Sequence, residues 1–349
     1  MASGIVGLDI GRDTIRAVEV MNATKARPTV VRYKEIALPE GAVTSGEVRE
    51  IHTVSAALRR LWSTGGFKSR DVVLGIGNQR VLARDLTVPR ASITQIRESL
   101  RFQVQDMLPV PVSEALLDFY PISEGIGEQG PVVNGLLIAA IKESVMANVT
   151  AVTQAGLKPV QVDLIPFALS RALIRGNVAA GTVALIDIGA SITHVVVATA
   201  GVPQFVRMIP VGGEDINRAL VARLELSPQQ AEAVKRQRGF SMAAPSTEGE
   251  RAAAEIINET VTDLLNSLKN TLNYYANQRQ SNLVQALILT GGGARLDGLA
   301  YALGDAMKVP VLPGDPFATI EKARTLRSAD PGELAGMTLA IGLAIGSAA

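Results

Sequence analysis

The sequence feature that most constrains the fold is a short pattern that occurs twice. Residues 5–16 and residues 184–194 each contain an apolar run, the triplet Asp-Ile-Gly, a few small or polar residues and a return to apolar alternation. That order is typical of a strand, a tight turn and a second strand. Because the same hairpin occurs in both halves of the chain, we expect two related half-domains that face each other across a cleft.

The turn of such a hairpin can bind a phosphorylated ligand. Its glycine lets the backbone approach a bulky anion, and turn amides that point the same way bind phosphate oxygens. Asp9 and Asp187 would then face a metal ion, directly or through water, because Mg²⁺ keeps several waters and takes few carboxylates. A single turn of this kind is also typical of an ordinary hairpin, so the prediction depends on the repetition.

The composition excludes several other classes of function. The 349 residues are 47% hydrophobic, which is enough for a full core, and 34 basic residues nearly balance 33 acidic ones. A net charge of +1 gives no general attraction to nucleic acid or anionic lipid. With no cysteine, and with His52 and His194 as the two histidines, the chain has no disulfide, thiolate nucleophile or histidine-rich metal site.

The length of the chain and the residues at its two ends predict the number of domains and the cellular location of the protein. A chain of this length fits two domains or one two-lobed unit. The apolar residues 337–349 are fewer than the roughly 20 needed to span a bilayer, and the N-terminus has no charged and then apolar signal region. We therefore expect a soluble protein of the cytoplasm.

Residues 78–163 have a different pattern from the chain before them. Up to residue 77, strand and helix patterns alternate as in one α/β half. The patterns that follow run strand, helix, strand, strand, helix, strand, with Ser92 as the cap of the first helix and a glycine-rich turn at 125–130. This order predicts a small split βαβ domain with a four-stranded sheet, inserted into the first half.

Two further glycine clusters lie where predicted strands meet predicted helices. Gly212 and Gly213 open a helix and would leave free amides at its start, which is typical of an anion site and equally of a routine strand-to-helix turn. The strand predicted at 286–290 is followed by three glycines, 291–293. Ordering glycines costs conformational entropy, and the close approach of a ligand would explain why three of them occur here. The lysine motif of a phosphate loop and the GxGxxG pattern are absent from the sequence, so neither of those folds is supported.

Glu232 and Lys235 lie one turn apart on a helix that begins at Ser227 and Pro228. On spacing alone, this pair is typical of an exposed ion pair on a helix surface. A longer helix over residues 251–279 has apolar positions in steps of three and four, so we expect it to pack one broad face.

Taken in order, these motifs resemble those of the actin-like ATPases over essentially the whole chain. Two Asp-x-Gly hairpins, a connecting helix, a Gly-Gly turn, a Glu-x-x-Lys helix, a Gly-Gly-Gly turn and a C-terminal Gly/Ala helix occur in the order of that superfamily. The resemblance implies ATP as the ligand, with Mg²⁺ at Asp9 and Asp187. It implies nucleotide-binding residues in both phosphate loops, the Gly-Gly turn, the Glu-x-x-Lys helix and the adenosine motif: Gly11, Arg12, Asp13, Thr14, Arg16, Gly189, Ala190, Ser191, Thr193, Gly212, Gly213, Glu232, Lys235, Gly291, Gly292, Gly293 and Arg295.

The implied fold is α/β, an actin-like two-lobed fold of duplicated RNase H-like halves with an inserted β-α-β-β-α-β subdomain. The implied segments are the N-terminal part of the first half (1–77), the insert (78–163), a connecting helix of the first half (164–180), the second half (181–335) with a helical subdomain (216–283), and a C-terminal helix that returns to the first half (336–349).

The insert narrows the resemblance to the PilM family of type IV pilus assembly proteins. Residues 84–89, 102–111 and 155–163 are similar in sequence to that family. The related FtsA proteins normally end in a basic and aromatic membrane helix, whereas residues 345–349 are neither basic nor aromatic.

This resemblance implies a cytoplasmic, ATP-binding assembly platform. Its partner would be the cytoplasmic N-terminal peptide of a PilN-like inner-membrane protein, held in a groove beside the insert. It implies further partners among other pilus assembly components, contact with the membrane only through partners, and no nucleic acid.

Three positions depart from the pattern of relatives that hydrolyse ATP. Arg12 stands where many relatives have a small hydroxyl residue, so it could bind phosphate bidentately or narrow the site. Arg16 keeps the positive charge of a phosphate-contacting lysine. Residues 165–167, Ile-Pro-Phe, stand where such relatives have Glu or Gln, and an apolar trio cannot orient water. We therefore expect nucleotide binding with weak or absent hydrolysis.

Two other functions fit the same superfold. One is an FtsA-like protein that forms filaments at the division site. The other is a small-molecule kinase or phosphatase, which would need an acid placed as a base in the cleft. The sequence offers no strong candidate for that acid.

Overall fold

The computed structural model describes residues 4–241, 247–279 and 282–346, which form two compact units. The first unit contains the described parts of Met1–Val178, Gly201–Val206 and Asp315–Ala349, and the second contains those of Ala179–Ala200 and Arg207–Gly314. The strands are β1 (Ile5–Ile10), β2 (Thr14–Met21), β3 (Thr29–Ala37), β4 (Val43–Thr44), β5 (Glu47–Val48), β6 (Asp71–Ile76), β7 (Val81–Pro89), β8 (Ala115–Gly127), β9 (Gly130–Ile141), β10 (Lys158–Leu164), β11 (Thr182–Ile188), β12 (Thr193–Thr199), β13 (Val202–Ile209), β14 (Ala286–Thr290), β15 (Val311–Pro313) and β16 (Glu321–Lys322).

Helices account for much of the remaining chain. They are α1 (Ile51–Gly65), α2 (Ile93–Gln103), α3 (Lys142–Gln154), α4 (Ile165–Leu173), α5 (Gly213–Leu224), α6 (Pro228–Arg238), α7 (Glu248–Gln278), α8 (Leu299–Met307), α9 (Pro331–Ala335) and α10 (Thr338–Gly346). Within the described ranges, none of them combines the length and apolar character needed to cross a membrane.

A six-stranded sheet forms the centre of the first unit, in the order β10-β6-β1-β2-β3-β16. β1 pairs antiparallel with β2 and parallel with β6. Its residues Val6 and Leu8 are fully buried in a core that α1 and α3 share. On the opposite face, α10 packs so closely that a Cβ at Gly7 would lie 1.8 Å from the carbonyl oxygen of Ala340. The central strand is therefore covered on both faces, and residue 7 must be glycine.

The insert has a three-stranded sheet of its own, in the order β7-β9-β8, and α2 packs against it. As predicted, α2 begins after Ser92, whose side chain accepts a hydrogen bond from the Gln95 amide in a capping box. Leu100 of α2 is buried together with Phe119 of β8 and Leu137 of β9. The helix thus covers one face of this sheet.

The prediction of a four-stranded sheet in the insert is wrong. The six elements occur in the predicted order, but β10 pairs parallel with β6 in the six-stranded sheet, and α3 packs against α1. Asn148 of α3 also accepts a hydrogen bond from the Val48 amide at 3.3 Å. Element order along the chain does not determine which sheet a strand joins, because pairing depends on distant residues. The sheet of the insert consists of β7, β8 and β9.

A five-stranded sheet has the order β13-β12-β11-β14-β15, and its strands β11, β12, β14 and β15 belong to the second unit. β11 pairs antiparallel with β12 and parallel with β14, and it is buried almost throughout. The long helix α7 packs against α5 and α6. Its buried face includes Ile257, Val261, Leu264 and Leu268, which confirms the predicted apolar stripe.

Candidate functional site

The two Asp-x-Gly hairpins close in the same way, one in each unit. The Gly11 amide donates a hydrogen bond to the Thr14 carbonyl at 2.9 Å, and the Gly189 amide donates one to the Ile192 carbonyl at 3.0 Å. A Cβ at residue 11 would lie 3.0 Å from the Thr14 oxygen, and a Cβ at residue 189 would lie 2.8 Å from the Ile192 oxygen. The repeated sequence pattern is therefore a repeated turn, and both predicted hairpins are confirmed.

Each hairpin places a basic side chain directly opposite its acid. Arg16 pairs with Asp9 across β1 and β2, and His194 pairs with Asp187 across β11 and β12. The Arg16 guanidinium lies 3.7 Å from the Asp9 carboxylate. His194 Nδ1 lies 3.0 Å from Asp187 Oδ2. Both acids are 15% exposed, so each is partly buried and held by the adjacent strand.

Arg16 lies between two carboxylates. Its Nε donates to Glu35 Oε2 of β3 at 2.5 Å, while its Nη1 faces Asp9. The strand register places Arg16 directly opposite Glu35. The guanidinium is therefore a fixed positive charge beside the first turn, with its orientation set by two acids.

Arg12, Asp13 and Thr14 complete the first turn. Arg12 Nε lies 3.6 Å from Asp13 Oδ1, and its Nη2 lies 4.0 Å from Glu40 Oε1. The Asp13 carbonyl accepts a hydrogen bond from the Leu38 amide at 2.8 Å, which joins the turn to the end of β3. A phosphate bound by Arg12 would therefore compete with these carboxylates.

The strand-to-helix turn before α5 packs on the turn of the second hairpin. The Gly213 amide donates to the Gly189 carbonyl at 2.9 Å, and the Glu214 amide donates to the Ala190 carbonyl at 2.8 Å. A Cβ at Gly212 would lie 2.5 Å from the Ala190 oxygen. Glycine at residue 212 is thus explained by two backbone segments in direct contact.

The prediction of free amides at the start of α5 is wrong. Besides the two amides just described, the Gly212 amide donates to the Asp215 carboxylate at 2.7 Å. These three N–H groups are satisfied inside the protein, so they do not form the anion site that the glycines suggested. Contact of Gly212 and Gly213 with a nucleotide stays a prediction.

Two of the three glycines after β14 also pack on the second hairpin. Gly291 has a φ of 95°, a conformation that favours glycine, and a Cβ there would lie 2.4 Å from the Ile188 carbonyl oxygen and 2.6 Å from Asp187 Oδ1. A Cβ at Gly293 would lie 2.4 Å from the Ile188 side chain, whereas a Cβ at Gly292 would meet open space. The approach of β11 explains two of the glycines, and Gly292 is the one with room beside it.

Lys235 connects α6 to the same region. Its Nζ donates to the Gly213 carbonyl at 3.2 Å and lies 2.6 Å from Glu232 Oε2. The Lys235 side chain is 15% exposed. The prediction of an exposed ion pair on the helix surface is therefore wrong, because the lysine is largely buried against the glycine turn.

The Glu232 carboxylate accepts several hydrogen bonds. Asn217 Nδ2 donates to Oε2 at 2.8 Å, and Arg236 Nε donates to Oε1 at 2.5 Å. Burial alone would raise the pKa of Glu232, but the hydrogen bonds from Lys235, Asn217 and Arg236 outweigh burial and lower its pKa to about 2. Asn217 also donates to Glu214 Oε2 at 3.0 Å, so it positions two acids.

The predicted residues of the second unit gather around one hairpin. The turn and the segments bonded to or packed on it contain Asp187, Gly189, Ala190, Ser191, Thr193, Gly212, Gly213, Glu232, Lys235, Gly291, Gly292 and Gly293. Arg295 ends the short 3₁₀ helix Gly293–Arg295 that follows. The predicted residues of the first unit lie around the other hairpin: Asp9, Gly11, Arg12, Asp13, Thr14 and Arg16.

A Mg²⁺ ion fits these residues only if it takes few protein ligands. Over residues 4–241, 247–279 and 282–346, no group of three or more His, Asp or Glu side chains could hold a metal ion. Asp9 and Asp187 each offer a carboxylate beside a turn, and Mg²⁺ commonly takes its other oxygens from water and phosphate. Each carboxylate by itself suits a metal ion that is bound together with a phosphorylated ligand.

The start of α4 is an apolar packing surface. Pro166 and Phe167 are buried, and the Phe167 ring centroid lies 4.6 Å from that of Tyr120 in β8. Asp163, just before this helix, forms an ion pair with Arg171. Burial raises the pKa of Asp163, although Arg171 opposes that change. An acid engaged in this way is a poor candidate for a catalytic base.

Sequence reasoning missed three side chains that orient predicted site residues: Glu35, His194 and Asn217. His194 had a usable signal, because it follows Asp187 at the same offset at which Arg16 follows Asp9. Glu35 and Asn217 contact residues on other elements, and a sequence pattern carries no signal for such contacts.

The two sheets and the repeated Asp-x-Gly hairpins define an α/β protein of the actin-like class. MreB5 of Spiroplasma citri, in a structure bound to ADP, has the same fold with a TM-score of 0.54 and 11% identity, over 98% of this chain and 95% of that chain. The chain therefore has the fold of the actin-like ATPases, as predicted.

Within that class, the sequence matches the family of the type IV pilus assembly protein PilM over residues 7–348, and the chain belongs to this family. The structure of the PilM–PilN type IV pilus biogenesis complex is similar with a TM-score of 0.82 and 26% identity, over 98% of this chain and 97% of that chain. The cell division protein FtsA of Bacillus subtilis (strain 168) is 24% identical, over 89% of this chain and 78% of FtsA. The predicted family is confirmed.

Proposed function

We propose that this chain is a cytoplasmic platform protein of type IV pilus assembly, which binds ATP with Mg²⁺ and the cytoplasmic N-terminal peptide of a PilN-like inner-membrane protein. The observation that carries this proposal is the similarity to the PilM–PilN complex over nearly the whole chain, supported by membership of the PilM family. The protein reaches the inner face of the membrane through its partners, which include other pilus assembly components.

The nucleotide is assigned to the predicted residues of both hairpins, the glycine turns and α6. Two positive charges support a triphosphate ligand: Arg16, oriented by two acids, and Lys235, largely buried against a glycine turn. Bound Mg²⁺ would neutralise phosphate charge, with Asp9 and Asp187 as its protein-side acids. Gly292 has open space around it, which suits the close approach of a ligand.

The packing of α4 supports a platform rather than a fast ATPase. Residues 165–167 are apolar, and the Phe167 ring packs against the Tyr120 ring, so no acid or amide at these positions can orient the attacking water. We expect turnover well below the roughly 1–10³ per second of ordinary enzymes. A steady-state rate inside that range, measured on protein free of other ATPases, would contradict the platform role.

The insert is the proposed binding region for the peptide. β7 and β8 are the edge strands of its sheet, and an extended peptide can add to an exposed edge or lie in a groove beside it. Phe102 of α2 is 71% exposed and Ile126 of β8 is 91% exposed. Such apolar side chains on a small sheet suit contact with a partner.

The test replaces residues 81–141 with a short glycine linker. The Ile141 amide donates to the Arg80 carbonyl at 3.1 Å, so the two cut ends already lie together. Deletion of the whole segment 78–163 is less suitable, because it would also remove α3 and β10 from the first unit.

Calorimetry then compares the two proteins, using a synthetic peptide with the N-terminal cytoplasmic sequence of the PilN-like protein from the same genome. We expect the full chain to bind it, and the deleted chain to lose peptide binding while it keeps Mg-ATP binding. A full chain that does not bind the peptide would contradict the proposed function. A folded deletion variant with parental peptide affinity would contradict the role of the insert.

An FtsA-like role in cell division is the second candidate, favoured by the similarity to FtsA of Bacillus subtilis. A pull-down from cell extract separates the two functions. Capture of the PilN-like protein supports pilus assembly, and capture of the tubulin-like division protein instead supports the FtsA-like role.

A further inference from the structure

A cavity of about 920 Å³ lies in the first unit. The loop before β3, the segment after α4 and the chain from 315 to 327 form its walls. Its lining contains none of the predicted nucleotide-binding or metal-binding residues. The volume is that of a small-molecule site, and no function discussed above uses it.

Cationic side chains outnumber carboxylates in the cavity wall. The charged lining residues are Arg27, Arg175, Lys322 and Arg327, with Asp315 and Glu321. Both carboxylates are engaged within the protein. Asp315 Oδ1 accepts a hydrogen bond from the Phe317 amide at 2.8 Å, and Glu321 lies 3.6 Å from Arg27.

The other three cations have no carboxylate partner in the part of the chain that the structure describes: no Asp or Glu oxygen there lies within 4.0 Å of Arg175, Lys322 or Arg327. Arg175 Nη2 donates to the Ala26 carbonyl at 3.0 Å. Lys322 Nζ lies 4.3 Å from the centre of the Phe317 ring. Both contacts fix a cation at the wall without neutralising its charge.

We propose that this cavity binds a small organic anion that carries two or more phosphate or carboxylate groups. Three positive charges around one cavity repel each other, and an anion between them would relieve that repulsion. The arginine fork binds carboxylate and phosphate oxygens bidentately, while lysine acts as a point charge. Phe317 and Ile320 give the wall an apolar part for the carbon skeleton of the ligand. The inference is independent of the proposed pilus function.

Calorimetry with citrate and with inorganic pyrophosphate tests this site, at low ionic strength and without Mg²⁺ or nucleotide. The proteins are the full chain, the double variant Arg175→Ala/Lys322→Ala and the single variant Arg327→Ala. Arg324→Ala is the matched control, because Arg324 is an exposed cation of the same segment that does not line the cavity.

We expect at least one of the two anions to bind the full chain, and the double variant to bind it about tenfold or more weakly, since each lost charged hydrogen bond is costly. Arg327→Ala should weaken binding in the same direction, while the control Arg324→Ala stays within about twofold of the parent. Binding of citrate alone would identify a carboxylate ligand, and binding of pyrophosphate alone a phosphate ligand.

Three results would overturn the proposal. The first is no binding of either anion up to about 10 mM. The second is an equal loss of anion affinity in Arg324→Ala, because general surface charge would then explain the effect. The third is parental affinity in the double variant or in Arg327→Ala.

Discussion

The two Asp-x-Gly hairpins have one backbone geometry and different surroundings. Asp9 faces Arg16, whose guanidinium Glu35 also holds. Asp187 faces His194, a buried imidazole. The comparison teaches that the turn itself is the common requirement, while the strand residue opposite the acid is free to differ.

The hairpins also differ in what covers their turns. The first turn is joined to the end of β3 by the hydrogen bond between Leu38 and Asp13. The second is covered by two glycine-rich segments whose backbones lie against it, at Gly212 and at Gly291. The second hairpin should therefore be the more sensitive to any added side-chain atom.

Gly291→Ala should have the largest effect on stability. The φ of 95° and the 2.4 Å approach to the Ile188 oxygen leave no space for a Cβ, so we expect a loss of about 2–4 kcal/mol in the free energy of unfolding. Gly292→Ala is the matched control, since open space surrounds it, and it should change that free energy by no more than about 1 kcal/mol. Urea unfolding measures both, and equal stability of the two variants would contradict the packing described for this turn.

His194→Asn should affect binding more than stability. It removes the imidazole that lies 3.0 Å from Asp187, which is proposed to bind Mg²⁺. Loss of a group that orients a metal ligand typically costs about 10–100-fold in metal affinity. Calorimetry with ATP, with and without Mg²⁺, measures the change. His52→Asn, at an exposed position of α1, is the control. Unchanged Mg²⁺-dependent affinity in His194→Asn would show that the two hairpins do not differ in this way.

Glu232→Gln should give the smallest effect, and one that depends on pH. The hydrogen bonds that lower the pKa of Glu232 to about 2 stabilise its ionised form, so this contribution is full above the ordinary value of 4.5 and disappears as the pH falls toward 2. We expect a loss of about 1 kcal/mol at pH 7, reduced by partial exposure of the side chain. The difference from the parent should shrink below pH 4.5, and a difference that persists unchanged to pH 3 would contradict this assignment. Glu255→Gln, at an exposed position of α7, is the control.

Much of this arrangement could be predicted because its signals are local. The hairpin turns depend on a few consecutive residues, and the cap at Ser92 and the apolar stripe of α7 follow from short spacing rules. These features were predicted correctly, with helix and strand ends shifted by a few residues. The actin-like class followed from the order of such local motifs, and the family followed from the insert and from the similarity of residues 84–89, 102–111 and 155–163.

The errors concern contacts between distant residues. Whether β10 joins the insert or the six-stranded sheet depends on β6, which precedes the insert in the chain. The amides of Gly213 and Glu214 are bonded to the second hairpin rather than free, and Lys235 reaches the Gly213 carbonyl from another helix. Nothing in the sequence near these residues specifies their partners.

The most direct test of the account is calorimetry of Mg-ATP binding to Asp9→Ala and Asp187→Ala, with Asp305→Ala, an exposed acid of α8, as the control. Each of the first two variants removes a proposed metal-binding acid. We predict that each weakens Mg²⁺-dependent ATP binding by about tenfold or more, while the control binds as the parent does. If Asp9→Ala and Asp187→Ala both bind Mg-ATP as tightly as the parent, the assignment of the nucleotide to the two hairpins is wrong.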